Sequence, residues 1–338
     1  MKIAVDVMGA DHGPEPIVRG AIEAVEAFAC DVVLVGDEAE INPLVEKYCS
    51  PQMRTKVSVQ MATEVITMQE QPGVAVRKKK DASIVVATRL VKEGTCQAVV
   101  SAGSTGAAVA AALFGLGRLP GIERPAIATP LPNLTGTTVV LDSGANVDSK
   151  PQHMAQSAIM GSIYAEYVLG VKSPRVGLLS IGEEPNKGNE QTLATYPLLE
   201  KMSAIRFIGN VEGRDIPKGT VDVVVCDGFV GNVVLKFGEG LASAIMHLIK
   251  EAIHKAGWLA KLASVLILPA LRSLKKKLDP SEYGGAPLLG VNGGFIICHG
   301  SSQAKAIKNA VRVAKEFTEE KVLEHIRESI EREEEKNS

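Results

Sequence analysis

The sequence predicts an α/β protein of three layers, α/β/α, built on a large and mostly parallel sheet. Three observations carry this prediction. Short apolar runs alternate with segments of helical period along the chain. The predicted strands are near-continuously apolar, as strands covered on both faces are. Small residues abound, with 32 glycines against 4% aromatic residues, which lets helices pack close to a sheet.

The elements follow in order. Lys2–Val7 reads as a strand, MGADHGP as its loop, and Pro14 to Phe28 as a helix with Ile17, Ala21, Ile22 and Val25 at helical spacing. Pro14 suits a first helical turn. Asp31–Gly36 is a buried strand, followed by a helix ending near Tyr48, and Val57–Met61 is a third strand. Gln97 to Ala102 is a short strand and Thr105 onward an Ala-rich helix, joined by Gly103-Ser104-Thr105-Gly106. That turn presents N–H groups and hydroxyls over a helix N-terminus, a place that favours an anion, although Gly and Ser also serve as ordinary caps there. Four more strand-to-helix units follow. Thr137–Leu141 leads into a helix from about Gln152 to Leu169, and Arg175–Ile181 into one through Leu199. Val221–Cys226 leads into a long helix from about Val233 to Ala256, and Gly294–Cys298 into one ending near Glu320.

In such sheets ligands bind beyond the carboxyl ends of the strands, and every polar, Gly-rich loop of this chain falls there: MGADHGP, GSTG, DSGANVDSKP, GEEPNKGNE, DGFVGN and HGSS. Their lysines, amides and helix N-termini describe an oxyanion pocket.

The chain of 338 residues is 46% hydrophobic, enough for one large or two medium domains. The expected organisation is a single compact unit over 1–330, of one piece or of two lobes with a cleft between them. Residues 254–280 form a basic amphipathic segment within it, and 331–338 end a charged surface helix that frays. A net charge of −2 leaves no nucleic-acid footprint. Asp6 interrupts the first apolar run, so no signal peptide is expected, and no uncharged run reaches the roughly 18 residues that span a bilayer. The five cysteines lack C-x-x-C pairing and read as reduced thiols; Cys226 and Cys298 close apolar strands as core residues rather than as nucleophiles. There is no G-x-G-x-x-G, no G-K-[ST], no H-E-x-x-H and no G-x-S-x-G, so neither a cofactor nor a metal is expected.

Residues 254–278, HKAGWLAKLASVLILPALRSLKKKL, combine Trp258, Leu262 and Leu266 with Arg272, Lys275, Lys276 and Lys277. An apolar face with a polybasic rim suits a membrane surface; a buried hairpin kinked at Pro269, or a dimer contact, is the other reading.

The blocks VDVMGADHGP, VSAGSTGA, LDSGANVDSKP, LLSIGEEPNKGNE, DGFVGNVVLK and GGAPLLGVNG, in this order, resemble the PlsX-type phosphate acyltransferases of bacterial phospholipid synthesis over roughly residues 1–320. The resemblance implies a fold similar to isocitrate/isopropylmalate dehydrogenase and phosphotransacetylase. It implies conversion of long-chain acyl-acyl carrier protein and inorganic phosphate to acyl phosphate and free carrier protein. It also implies a homodimer at the inner face of the cytoplasmic membrane, where a glycerol-3-phosphate acyltransferase takes the product.

That chemistry needs no covalent nucleophile. The leaving thiolate is a weak base, and phosphate is largely ionised near neutrality. Positioning contributes ~7–11 kcal/mol, and each lost oxyanion donor costs ~3–4 kcal/mol. On this reading Gly103, Ser104, Thr105 and Gly106 form the phosphate turn, with Lys187 and Asn189. Asn146, Lys150, Asn232 and Lys236 orient phosphate or the carbonyl oxygen. His12 either transfers a proton, oriented by Asp11 or Asp6, or caps the helix at Pro14. Arg77, Lys78, Lys79 and Lys80, or the Arg272–Lys277 cluster, would guide the acidic carrier protein. The competing functions are transfer from coenzyme A thioesters on the same scaffold, and a non-catalytic membrane scaffold.

Overall fold

A computed structural model describes residues 1–255, 269–270, 273–274 and 276–337. The strands are β1 (Lys2–Asp6), β2 (Asp31–Gly36), β3 (Val57–Met61), β4 (Ala98–Ser101), β5 (Ala126–Ile127), β6 (Thr129–Pro132), β7 (Thr137–Leu141), β8 (Arg175–Leu179), β9 (Arg206–Val211), β10 (Val223–Val225), β11 (Ala286–Leu289) and β12 (Gly294–Ile297). The helices are α1 (Pro14–Phe28), α2 (Glu38–Tyr48), α3 (Pro72–Lys78), α4 (Ser83–Lys92), α5 (Thr105–Gly115), α6 (Pro151–Tyr167), α7 (Glu190–Lys201), α8 (Asp215–Lys218), α9 (Gly228–Lys255), α10 (Ala304–Glu319) and α11 (Val322–Asn337).

The parallel α/β character is as the sequence predicts, but it is divided between two sheets. One has seven strands in the order β3-β2-β1-β4-β12-β11-β5, the other five in the order β6-β7-β10-β8-β9. Strands β3 to β12 of the first sheet run parallel, as do β7, β10, β8 and β9 of the second. The antiparallel additions β5, β6 and β11 escaped the sequence reading because β5 has only two residues and the others carry proline: Pro130 and Pro132 in β6, Pro287 in β11. The fifth strand of the second sheet, β9, was missed because it is an edge whose first four residues alternate between exposed and half-buried, with only Asn210 and Val211 buried.

Alternate strand residues face opposite cores. Ile3 and Val5 of β1 pack with α1 and α10 on one face, while Ala4 packs with α4 and α5 on the other. The second sheet buries Val139, Leu141, Val223 and Val225 under α6, together with Val322, Ile326 and Ile330 of α11. The C-terminal segment is therefore a docked helix reaching Asn337, not a fraying one, and even Glu333 is buried. The two sheets meet where the Ile127 N–H donates to Asp142 Oδ1 (3.1 Å) and the Ser143 N–H donates to the Ile127 carbonyl (3.0 Å).

Two features of this topology position a site. From β1 the chain steps outward to β2 and β3, then returns to place β4 on the other side of β1, opening a crevice beyond the ends of β1 and β4. In the second sheet β10 returns between β7 and β8, so the loops after β7 and β10 touch: the Gly228 N–H donates to the Asn146 carbonyl (2.8 Å).

Ile326→Ala removes an apolar side chain from the α6–α11 contact. It should lower stability by about 2–5 kcal/mol in denaturant unfolding; an unchanged midpoint would mean that α11 is a surface appendage.

Candidate functional site

The loop after β1 bends through Gly9 (φ 84°) and Gly13 (φ 71°) before Pro14 opens α1. It is tied to the loop after β12, because the Asp11 N–H donates to the Gly300 carbonyl (3.0 Å). A Cβ at position 300 would lie 2.9 Å from the Asp11 carboxylate, so the two loops pack closely here. His12 and Asp11 are both exposed at this crevice, and among the described residues the His12 side chain makes no hydrogen bond. Beside them His299 Nδ1 and Ser301 Oγ share a hydrogen bond of 2.7 Å.

The structure separates Asp6 from His12. Asp6 ends β1 in register with Ser101 of β4, and the Ser101 hydroxyl donates to Asp6 Oδ2 at 2.7 Å. Ser101 Oγ in turn accepts the Gly103 N–H (3.2 Å). Asp6 is only 2% exposed, and its Oδ1 is buried without a hydrogen-bond partner. Burial raises its pKa to about 6, against the opposing pull of Ser83, Ser101 and the Met8 amide. Orientation of His12 thus falls to Asp11 alone if a carboxylate does it. Ser101 was missed, although a polar residue closing the buried run Ala98-Val99-Val100 opposite Asp6 was a readable signal.

In the turn after β4, Ser104 caps α5 by accepting the Ala107 N–H (3.4 Å). The Thr105 and Gly106 amides ahead of it find no acceptor among the described residues, as expected of a first helical turn. Gly106 has a packing reason as well, since a Cβ there would sit 2.6 Å from the Pro72 ring of α3.

The second loop group is organised by Asp142 at the end of β7. Its carboxylate accepts five donors: the N–H groups of Ile127, Gly144, Ala145 and Asn146, and the Asn146 side-chain amide. Burial raises the Asp142 pKa in spite of those donors. Asn146 also donates to the Pro125 carbonyl (2.6 Å), so both its amide hydrogens are committed and its side chain offers no donor to a substrate oxyanion. That corrects the expectation for Asn146: it anchors the loop. Ala145 leans on the core beside α5, which carries the loop to the flank of the first sheet.

Lys150 is exposed at the head of α6, where its N–H donates to His153 Nδ1 (3.1 Å). His153 Nε2 lies 3.1 Å from Glu123 Oε2, so the ring proton belongs on Nε2. This buried histidine, also missed from sequence, clips the loop to the segment before β5; its third-position placement after Pro151 was the available cue. Asn189 caps α7 by accepting the Thr192 N–H (2.9 Å), and Lys187 is exposed in the loop before it. Asn232 stands exposed one turn into α9, beside Gly144, where a Cβ would be 3.7 Å from it. Lys236, a turn further on, pairs with Glu239 (3.0 Å). The structure therefore brings the Gly144–Asn146 loop against the head of α9 that carries Asn232, and separately Asp11 with the Gly300 loop and Asp6 with the Gly103 turn. No hydrogen bond or ion pair among the described residues joins Lys187 or Asn189 to that turn.

The basic run divides. Lys79 is held by Glu70 (2.8 Å) and the Val65 carbonyl (2.7 Å), and Arg77 lies over the Phe114 ring (4.5 Å). Lys78 and Lys80 are exposed. Trp258, Leu262, Leu266, Arg272 and Lys275 lie outside the described residues; Lys276 and Lys277 are exposed. An apolar face that sequence reading did not single out lies just before them. Asp227 caps α9 by accepting the Phe229 and Val230 N–H groups, so the helix starts five residues earlier than predicted. Phe229 (62% exposed), Val233, Phe237 (68%), Leu241, Ile245 and Leu248 then form one exposed stripe. By length and composition α9 is apolar enough to cross a membrane, and only 6% of that stretch is buried. All five cysteines are buried, and burial pushes the Cys226 thiol up and the Cys298 thiol to about 12, which excludes both as ready nucleophiles.

The fold is that of the phosphotransacetylases. The structure is similar to a phosphotransacetylase from Streptococcus pyogenes (17% identical, TM-score 0.64, 94% of each chain covered) and to one from Staphylococcus aureus (16%, 0.62, 94% of each). The family model described as fatty acid synthesis protein matches residues 1–325. A phosphate acyltransferase of Pelotomaculum thermopropionicum is 58% identical over 331 residues, covering 98% of this chain and 95% of the relative. One of Heliobacterium modesticaldum is 58% identical over 330 residues, covering 98% of both. The chain belongs to this fatty acid synthesis protein family, the PlsX-type phosphate acyltransferases. It is an acyltransferase of lipid synthesis.

The raised Asp6 pKa carries a sign. A carboxyl whose folded pKa lies above its ordinary 3.8 favours the folded state below that value and loses this contribution as pH rises through about 6. Asp6→Asn should therefore gain stability relative to the parent between about pH 4 and pH 7, by up to ~3 kcal/mol in urea unfolding. A constant difference across that range would show that Asp6 ionises normally.

Proposed function

We propose that the chain transfers the acyl group of a long-chain acyl-acyl carrier protein to inorganic phosphate, giving acyl phosphate and free carrier protein. The observation that carries this reading is the open N-terminus of α5 at the crevice between β1 and β4, where the Thr105 and Gly106 amides lack acceptors. An oxyanion there gains hydrogen bonds and the helix dipole, worth ~0.3–2 kcal/mol at binding before any cation contributes.

Phosphate held by Gly103–Gly106, with Lys187 and the Asn189 amide, attacks the thioester carbon through one of its oxygens. The carbon–sulfur bond breaks, and the thiolate leaves with the carrier protein, taking a proton from His12 or from solvent. Asn232, Lys150 and Lys236 face the carbonyl oxygen as negative charge develops on it. Asn146, His153 and Asp142 hold the loop from which Lys150 works. No metal or organic cofactor enters these steps.

The carrier protein is acidic, and Arg77, Lys78, Lys80 and the stacked Phe114 offer it a basic surface with an apolar centre. The long apolar stripe of α9 supports a homodimer working at the cytoplasmic face of the membrane, where a membrane glycerol-3-phosphate acyltransferase takes the acyl phosphate. On this reading residues 1–330 act as a single catalytic unit, with the basic 254–280 segment as its membrane- or partner-facing part.

Labelled phosphate should enter acyl phosphate when long-chain acyl-carrier protein is supplied, and acetyl-coenzyme A should be a poor donor. Lys187→Ala should raise the phosphate KM at least tenfold, since a charged hydrogen bond is worth roughly 1.5–3 kcal/mol. Transfer from acetyl-coenzyme A alone would move the reading to phosphotransacetylase chemistry.

Reversing charge at Lys78 and Lys80 should raise the carrier-protein KM several-fold and leave liposome binding intact. Reversal at Lys276 and Lys277 should do the opposite; co-sedimentation with anionic vesicles and steady-state kinetics separate the two surfaces.

A further inference from the structure

Among the described residues, Asp6 is the buried acid at the end of β1 that the reaction above does not use. It lies directly beneath the anion turn: a Cβ on Gly103 would be 3.6 Å from Asp6 Oδ2, and Ser101 links that oxygen to the Gly103 N–H. Its other oxygen, Oδ1, is buried without a hydrogen-bond partner, and Asp6 lines a narrow cavity with Ser83, Ser101, Gly103 and Ser104. The elements packed against it, β4, α4, α5 and the segment of Ile66, bring hydroxyls and apolar groups to this cavity but, among the described residues, no titratable or charged side chain. The titratable groups of the crevice, Asp11, His12 and His299, are exposed.

We infer that Asp6 is a proton-linked positioning residue: an oxyanion seated on the Ser101–Gly106 turn is bound together with one proton on Asp6. The inference rests on reading this turn as the phosphate seat. An ionised Asp6 would place negative charge under a turn that has to hold negative charge, with no cation between them. Protonation removes that opposition, working against the pull of Ser83, Ser101 and the Met8 amide toward the ionised form. The proton comes from solvent to Oδ1, while Oδ2 keeps the Ser101 hydroxyl and the Gly103 N–H stays aimed. Because burial already brings the Asp6 pKa to about 6, a neighbouring anion has only to lift it further for the linkage to act near neutral pH.

Sulfate is the suitable probe, since it does not titrate in this range. Calorimetry in buffers of different ionisation enthalpy reads proton uptake directly. If the bound anion raises the Asp6 pKa by about one unit, the parent should take up roughly half a proton per sulfate near pH 6.5. Its sulfate affinity should also fall about tenfold between about pH 5 and pH 8. Asp6→Asn should bind sulfate without this uptake and keep its low-pH affinity; any dependence owed to His12 or His299 persists in both proteins and cancels. Ser101→Ala, which removes a donor favouring the ionised form, should move the midpoint to higher pH, and this variant decides the matter if Asp6→Asn does not fold. Equal uptake in the parent and Asp6→Asn, or a midpoint unmoved in Ser101→Ala, would overturn the linkage while leaving the phosphate turn in place. Failure of the parent to bind sulfate or phosphate at all would overturn the turn as a phosphate seat, and the linkage with it.

Discussion

The carboxylate of Asp142 is the point on which the second half of the crevice hangs. A loop at the end of a buried strand has to satisfy several backbone N–H groups at once, and water is excluded at this depth. Asp142 collects them from both sides, three from its own loop and one from Ile127 of the other sheet. The same contact therefore shapes the loop and joins the two sheets. Substituting the glycine that packs over it would be ruinous, since a Cβ at Gly231 would fall 1.8 Å from the Asp142 carbonyl. Helix α9 consequently starts hard against this loop, which sets Asn232 beside Gly144.

The first sheet solves the matching problem with less machinery. Its polar strand ends, Asp6 and Ser101, lie side by side in register, and one hydroxyl serves two neighbours. Where the second loop group is clamped by many bonds, the turn over α5 is held by few and keeps amides free. Rigid support on one side and open donors on the other is the division of labour that oxyanion chemistry asks of a scaffold.

Much of this was legible from residues alone. Strands with unbroken apolar runs and helices begun by proline or a polar cap stood close to where they were expected, as at Pro14–Phe28 and Thr137–Leu141. The loops, too, fell at strand ends. What stayed hidden depends on tertiary partners. Asn146 looked like a ligand because an amide in a Gly-rich loop is usually free, and only Pro125, 21 residues away in sequence, shows where its hydrogens go. The tail looked solvated because charge dominates its composition, yet Ile326 and Ile330 repeat at helical spacing and find α6. Arg77 and Lys79 read as a run of like charge, while Phe114 and Glu70 lie far enough along the chain that no local pattern announces them. Division into two sheets has no local signature at all.

The burial of all five thiols has a bearing on selectivity. Thioesters and acyl phosphates are both acyl donors, and an exposed thiolate near them is an acceptor that competes with the intended one. Cys226 lies within 3.8 Å of the Asp142 carbonyl, at the heart of the candidate site, yet it is sealed from solvent and kept protonated. On the proposed reaction, a protein built this way would handle activated acyl groups without becoming acylated itself, and the acyl chain would pass only between the two substrates.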